Sequence, residues 1–233
     1  YILFTSFAFF RYVLKYFTPQ QYDAFMAAMN AFESAGNKKA FNYAGYVGAK
    51  QFGLSSLQGA GFITNSYRKA CLKAGGLLNK KGTKYIQGGY NLPRDHTFRG
   101  KAVNSCGYGI LNYLAKKSWD GSRAKSLGVK NLDDWFNDKS GCQKYAMDHK
   151  TSGNIKSLRN AKAVDINNPC DMAGHLAASH LAGICYGQSL SVNNKCKDQH
   201  YADAGTDKAD GNGSFATRYF IGAGNMVKYN GGC

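Results

Sequence analysis

Proline is scarce, glutamate is almost missing, and no apolar run is long enough to cross a bilayer. Each shortage narrows what the chain can be. Three prolines in 233 residues leave no proline-rich linker. With no low-complexity run and no internal repeat, residues 1–233 are expected to form a single domain. A hydrophobic content of 44% excludes global disorder. No two cysteines are spaced C-x-x-C, which removes zinc ribbons and dithiol redox motifs. Neither a G-x-x-x-x-G-K-[ST] phosphate loop nor a G-x-S-x-G nucleophile elbow occurs. His175 and His180 are five residues apart, so they do not form a zinc pair at i and i+4. No metal and no cofactor are expected. Acids are also few, 14 against 30 Lys and Arg, for a net charge of +16. That balance favours a polyanionic partner: nucleic acid, an anionic membrane or a bacterial cell wall.

Residues 1–17 (YILFTSFAFFRYVLKYF) are strongly apolar, but Arg11 and Lys15 interrupt a run already too short to span a bilayer. The charge order and cleavage site of a signal peptide are not seen. The segment is expected to be an N-terminal helix packed on the domain, with interfacial membrane attachment as the alternative. Seven cysteines (Cys71, Cys106, Cys142, Cys170, Cys185, Cys196 and Cys233) are many for a cytosolic enzyme. They point to one or more disulfides in an oxidising compartment, with at least one thiol left over and the pairing open.

The clearest predicted element begins at Thr18-Pro19. Thr18 can cap, Pro19 suits the first helical position, and Gln21 completes a capping box. The helix runs through QQYDAFMAAMNAFESA to Gly36, with Tyr22, Phe25, Met26, Met29 and Phe32 as its buried face. A turn or short hairpin is expected around Asn42–Gln51, then a short helix from Ser55. Residues 64–118 are basic and largely unassigned, apart from helices near 65–74 and from Gly107. Further helices are expected over Leu132–Met147, from Asp171 to a stop at Gly187, and after a cap at Ser214. The fold class is therefore mainly α, with at most a small hairpin or sheet.

Glu33 is the only glutamate; the other 13 acids are aspartates. At about 100° per residue it falls within roughly 20° of Tyr22, in the predicted apolar face. Burial there would disfavour its charged form, and the negative end of the helix dipole would act the same way. A carboxylic acid still protonated near neutral pH is what glycosidic cleavage needs to protonate the leaving oxygen. The plainer alternative is a buried carboxylate paired with one of the many cations.

Phe32-Glu33-Ser34-Ala35-Gly36-Asn37 resembles the E-S-x-G-N opening of lytic transglycosylases and goose-type lysozymes. Gly48-Ala49-Lys50-Gln51-Phe52-Gly53 resembles their G-x-x-Q segment. The stretch FNYAGYVGAKQFG is closer still to muramidase domains of phage tails and type VI secretion effectors, with Lys50 where those carry tyrosine. Similarity continues in the W-F…Q…A-M pattern of Leu132–Met147, in Ala177-Ala178-Ser179-His180-Leu181-Ala182-Gly183, and in Asp210-Gly211-Asn212-Gly213-Ser214 followed by Tyr219. The matched blocks cover roughly 20–62 and 131–220.

This resemblance implies an α+β lysozyme-like fold that cleaves the β-1,4 bond between N-acetylmuramic acid and N-acetylglucosamine. Glu33 would be the acid, and Ser34 and Gln51 would orient it or contact sugar. His180 would stand near the cleft, while Tyr46, Phe52 and Tyr219 would offer stacking surfaces. For Phe52 core packing is the equal alternative, and for His180 a place in the core of its helix.

A second carboxylate is harder to choose. Asp210 comes first, then Asp203 and Asp207, each with a solvated loop or Asx turn as the alternative. An EF-hand over this loop is rejected, because Thr206 and Lys208 would fill the first and third positions. Lytic transglycosylases use one glutamate and the substrate's own 6-hydroxyl, so both outcomes stay open. So does a non-catalytic basic module for cell wall or nucleic acid. The expected partner is the peptidoglycan glycan strand, met by a monomer outside the cytoplasm, in the periplasm or wall of a target bacterium. A cognate immunity protein is compatible with that setting; specific nucleic-acid binding and stable membrane insertion are not expected.

Overall fold

The computed structural model describes residues 9–78, 92–182 and 216–233. They are mainly helical, with one two-stranded antiparallel sheet. After a short helical stretch at 9–13, the elements in chain order are α1 (Pro19–Glu33), α2 (Leu54–Gly59), α3 (Asn65–Ala74), β1 (His96–Phe98), β2 (Lys101–Val103), α4 (Ser105–Lys116), α5 (Ser122–Leu127), α6 (Leu132–Phe136), α7 (Cys142–Asn160), α8 (Pro169–Ala182) and α9 (Ala216–Gly231). The described chain divides into two compact units. One takes the chain up to Phe32 and again from Asp148; the other runs from Glu33 to Met147.

In the first unit the capping box forms as its sequence specifies. The Thr18 amide donates to Gln21 Oε1 at 2.8 Å, and the Gln21 amide donates to Thr18 Oγ1 at 3.2 Å. Val13, Phe17, Tyr22, Phe25 and Met29 are buried, as are Ile155, Leu158, Met172 and Leu176. Tyr22 donates its hydroxyl to Asp148 Oδ1 at 2.7 Å inside this core. Burial first, and then the Asp148 charge, raise the phenol well above its usual range.

A disulfide joins Cys170, at the start of α8, to Cys233, just beyond α9, across a Cα separation of 6.0 Å. The two helices run antiparallel, Gly224 lying beside the Cys170 carbonyl and Gly174 beside Phe220. Their backbones approach at Gly174, where a Cβ would lie 2.9 Å from the Phe220 ring. The start of α8 differs from expectation. Asn168, not Asp171, is the cap, accepting from the amides of Cys170 and Asp171 at 3.1 Å each. Pro169 has no N–H to satisfy and suits the first helical turn, so the helix opens one residue after Asn168. The expected stop at Gly187 and cap at Ser214 lie outside the described residues.

The second unit is built around Trp135, fully buried, with the Phe52 ring edge-on at 5.5 Å and Phe62 at 5.1 Å. The strands pair His96 with Val103 and Phe98 with Lys101. Arg99 and Gly100 turn between them with φ of +48° and +79°, the left-handed pair that a two-residue hairpin needs. Residues 64–118 thus resolve into α3, the sheet and α4 on either side of 79–91, which are not described. The single helix expected over Leu132–Met147 is broken. Asp138, Ser140 and Gly141 have φ of +48°, +54° and +68°, and Asp138 Oδ1 accepts the Gln143 amide at 2.8 Å to start α7 afresh. Among the described residues, no helix is long and apolar enough to cross a membrane.

Candidate active site

Glu33 closes α1, but at the margin of the buried face and not in its middle. The buried residues of α1 are Gln21, Tyr22, Ala24, Phe25, Ala28 and Met29. Ala24 and Ala28 pull the buried arc away from Met26, and at about 100° per residue Glu33 lies roughly 90° from its centre. Glu33 and Met26 are accordingly half-buried. Beyond Glu33 the chain leaves the helix through Ala35 and Gly36, with φ of +53° and +77°. The strong desolvation expected of the carboxyl is therefore reduced.

A tight hairpin is tied to this helix end. Val47 and Phe52 exchange amide-to-carbonyl hydrogen bonds at 3.1 and 2.8 Å, and Gly48-Ala49-Lys50-Gln51 forms the loop between them. Ser34, next to Glu33, donates its hydroxyl to the Ala49 carbonyl at 2.8 Å. Ser34, expected to orient Glu33 or contact sugar, thus ties the residue after Glu33 to the hairpin.

Gln51 adopts a φ of +48°, rare for a residue with a side chain, and donates Nε2 to the Gly48 carbonyl at 3.0 Å. It is half-buried and bound into its own turn. Lys50 is the unexpected member. It is only 4% exposed, unusual for an ammonium. Burial lowers its pKa to about 8, while the charge of Glu33 acts in the opposite sense.

Gln143 braces the arrangement from beneath. Its Oε1 accepts the Ala49 amide at 2.8 Å, and its Nε2 donates to the carbonyls of Lys38 at 2.9 Å and Trp135 at 2.7 Å. One buried amide therefore holds the hairpin, the loop after Glu33 and the end of α6. Space for it depends on Gly48, whose φ is +85° and whose Cβ, if present, would lie 2.7 Å from both Gln143 Oε1 and Trp135 Nε1. Lys38 adds an ion pair to Asp138 at 2.9 Å, which raises the lysine pKa.

The remaining sequence candidates divide sharply. Tyr46 is half-buried, its ring 2.9 Å from where a Gly53 Cβ would stand, and it keeps an aromatic face near the hairpin. Phe52 is 1% exposed and packs on Trp135, so the core alternative holds and it offers no stacking surface. In the first unit, Tyr219 is equally buried, its ring 4.7 Å from Phe32 and its hydroxyl donating to the Phe32 carbonyl at 3.3 Å. It satisfies a helix-end carbonyl in place of presenting a face to sugar. His180 is half-buried in the last turn of α8, with its carbonyl 3.4 Å from Lys150 Nζ. Asp203, Asp207 and Asp210 lie outside the described residues.

Sequence reasoning met Gln143 only as the Q of the W-F…Q…A-M pattern and passed over its bracing role, as it did the burial of Lys50. The signal for Gln143 was a lone amide between Cys142 and the apolar Tyr145-Ala146-Met147. Cys71, Cys106 and Cys142 are buried free thiols. Burial raises all three, Cys71 to about 12, so none is a ready thiolate nucleophile. Compared with known proteins, the chain matches no family model, no curated protein and no solved structure.

Proposed function

We propose that the chain is a peptidoglycan-cleaving glycosidase of lysozyme-like type, with Glu33 as the general acid at the bond between N-acetylmuramic acid and N-acetylglucosamine. One observation carries the reading. The three sequence blocks of the resemblance that lie in the Glu33–Met147 unit are hydrogen-bonded to one another. Ser34 reaches Ala49, and Gln143 reaches both Ala49 and Lys38. A half-buried carboxyl on a rigid helix end, beside a braced hairpin and a half-open tyrosine, is a suitable support for proton donation to a glycosidic oxygen.

The charge of +16 supports attraction to an anionic wall, and the Cys170–Cys233 disulfide supports work in an oxidising compartment such as the periplasm. An antibacterial effector or lysin role follows, with a cognate immunity protein as a candidate partner. Glu33→Gln should abolish turbidity clearing of purified peptidoglycan while pull-down on it persists. Clearing at the parental rate would remove the mechanism and leave a basic binding module. The masses of released muropeptides separate hydrolysis, the outcome we favour, from transglycosylation, whose 1,6-anhydro product lacks one water.

A further inference from the structure

The Glu33–Met147 unit places a second ionisable group at the candidate acid, one that the proposed chemistry does not use. Lys50 occupies the third position from Val47 in the 47–52 hairpin, whose Ala49 carbonyl is held by Ser34 and whose Ala49 amide is held by Gln143. Both tethers adjoin Lys50 in sequence, and one of them starts at the residue after Glu33. These tethers hold the backbone beside Lys50, and the residue is 4% exposed, so its ammonium is enclosed as a surface lysine's is not. We propose that Lys50 is a positioning residue for Glu33, its buried ammonium setting the charge state that the carboxyl keeps. The proposal rests on the reading of Glu33 as the acid for its consequence in catalysis, but the pairing stands or falls without it.

Burial acts on Lys50 most strongly, and Glu33 is the charge that acts on it next. Lys38 and Asp138, on the loop after α1 and before α7, are paired with each other at 2.9 Å. Tyr46, half-buried, is the residue before the hairpin. Coulombic attraction is reciprocal, so a protonated Lys50 favours the ionised form of Glu33. That works against a general acid at neutral pH. Loss of the Lys50 proton, or of Lys50 itself, lets Glu33 hold its own proton to higher pH.

Glu33 being the sole glutamate makes a direct test simple. Labelling the full chain with glutamate carrying carbon-13 at the side-chain carboxyl gives one protein signal, that of Glu33. In the parent, its shift should show a main step as Glu33 ionises and a second inflection near pH 8 as Lys50 loses its proton. In Lys50→Met the inflection should vanish and the main step should rise by about one pH unit. Lys50→Gln, which also removes the charge but keeps a polar head, should move the step the same way. If the parent shows no inflection between pH 7 and 9, or the step is unmoved in both variants, the proposal is overturned. A purely structural lysine would alter stability and leave the step where it was. Clearing assays across pH give the consequence, with the alkaline limb of Lys50→Met displaced upward. A carbon-13 step that moves in the variants while the parent clears no peptidoglycan would refute the proposed function alone.

Discussion

Replacing Gln143 tests whether the candidate site is held together as described. The side chain is 4% exposed and makes three hydrogen bonds, one from the Ala49 amide and two to the carbonyls of Lys38 and Trp135. Gln143→Leu keeps most of the volume and removes all three. The Ala49 N–H then loses its partner in a buried place, which costs about 1–3 kcal/mol. Two carbonyls lose one partner each, at a smaller cost because each has a second lone pair. Together the loss is about 3–5 kcal/mol, a large part of a typical domain's stability. Gln143→Ala would be gentler, because the space left could admit a water to bridge the three groups. Urea unfolding at pH 7, read as the change in midpoint at constant m, measures the difference. Since Ala49 adjoins Lys50 and Lys38 lies on the loop that follows Glu33, peptidoglycan clearing at a temperature where the variant is still folded should fall roughly tenfold or more. A cost below about 1 kcal/mol for Gln143→Leu would refute the bracing role, because a buried amide with three good partners cannot be lost so cheaply.

Two further outcomes follow from burial and from covalent closure. Lys50 ionises near 8 in the folded chain against 10.5 ordinarily, so between those values the unfolded chain binds more protons and stability at this site rises with pH. Lys50→Met should therefore be more stable than the parent by up to about 3 kcal/mol at pH 7, the gap closing toward pH 10.5; a gap that is constant across pH would sink this account. The comparison is of parent with variant because the buried thiols act oppositely. Burial raises Cys71, Cys106 and Cys142, and they erode stability as pH passes their unfolded value, equally in both proteins. The Cys170–Cys233 disulfide closes a loop across a separation of 63 residues, so Cys170→Ser with Cys233→Ser should cost about 4 kcal/mol and lower Tm, and an unchanged Tm would contradict it.

Local chemistry was legible wherever one residue decides the outcome. Thr18, Pro19 and Gln21 specify the start of α1 because their partners lie within three residues. The hairpin near Asn42–Gln51 follows from its glycines. Patterns that needed a judgement of which apolar residues face inward were less secure. Ala24 and Ala28 are small and contribute little to a hydrophobic stripe, yet they are buried, and they rotate the face of α1 away from Glu33. The break after Phe136 was hidden because apolar residues recur at helical spacing on both sides of it. Only the left-handed Asp138 and Ser140 reveal that the phase restarts. Phe52 and Tyr219 could be placed near a site by motif, but their burial depends on Trp135 and Phe32, residues far away in sequence.

The deeper omission concerns charge, and under the proposed function it alters how Glu33 must work. A chain of +16 supplies a net positive field, and such a field favours ionisation of a carboxylate. Desolvation and the negative end of the helix dipole were the opposing influences visible in the sequence, and Glu33 at the margin of its helix face receives less desolvation than the wheel implied. Lys50 then adds a cation that cannot be screened as a surface lysine is, because it is almost wholly enclosed. A Glu33 that donates a proton near neutral pH therefore needs compensation from outside the helix. Bound substrate can supply it in two ways. It excludes water from a half-buried carboxyl, and its anionic groups offset the positive field around it. Under the proposed function, the excess of lysine and arginine that would draw an anionic strand to the protein would thus work against Glu33 until the strand arrives. On this reasoning the protonated, competent form of Glu33 belongs to the complex more than to the free chain.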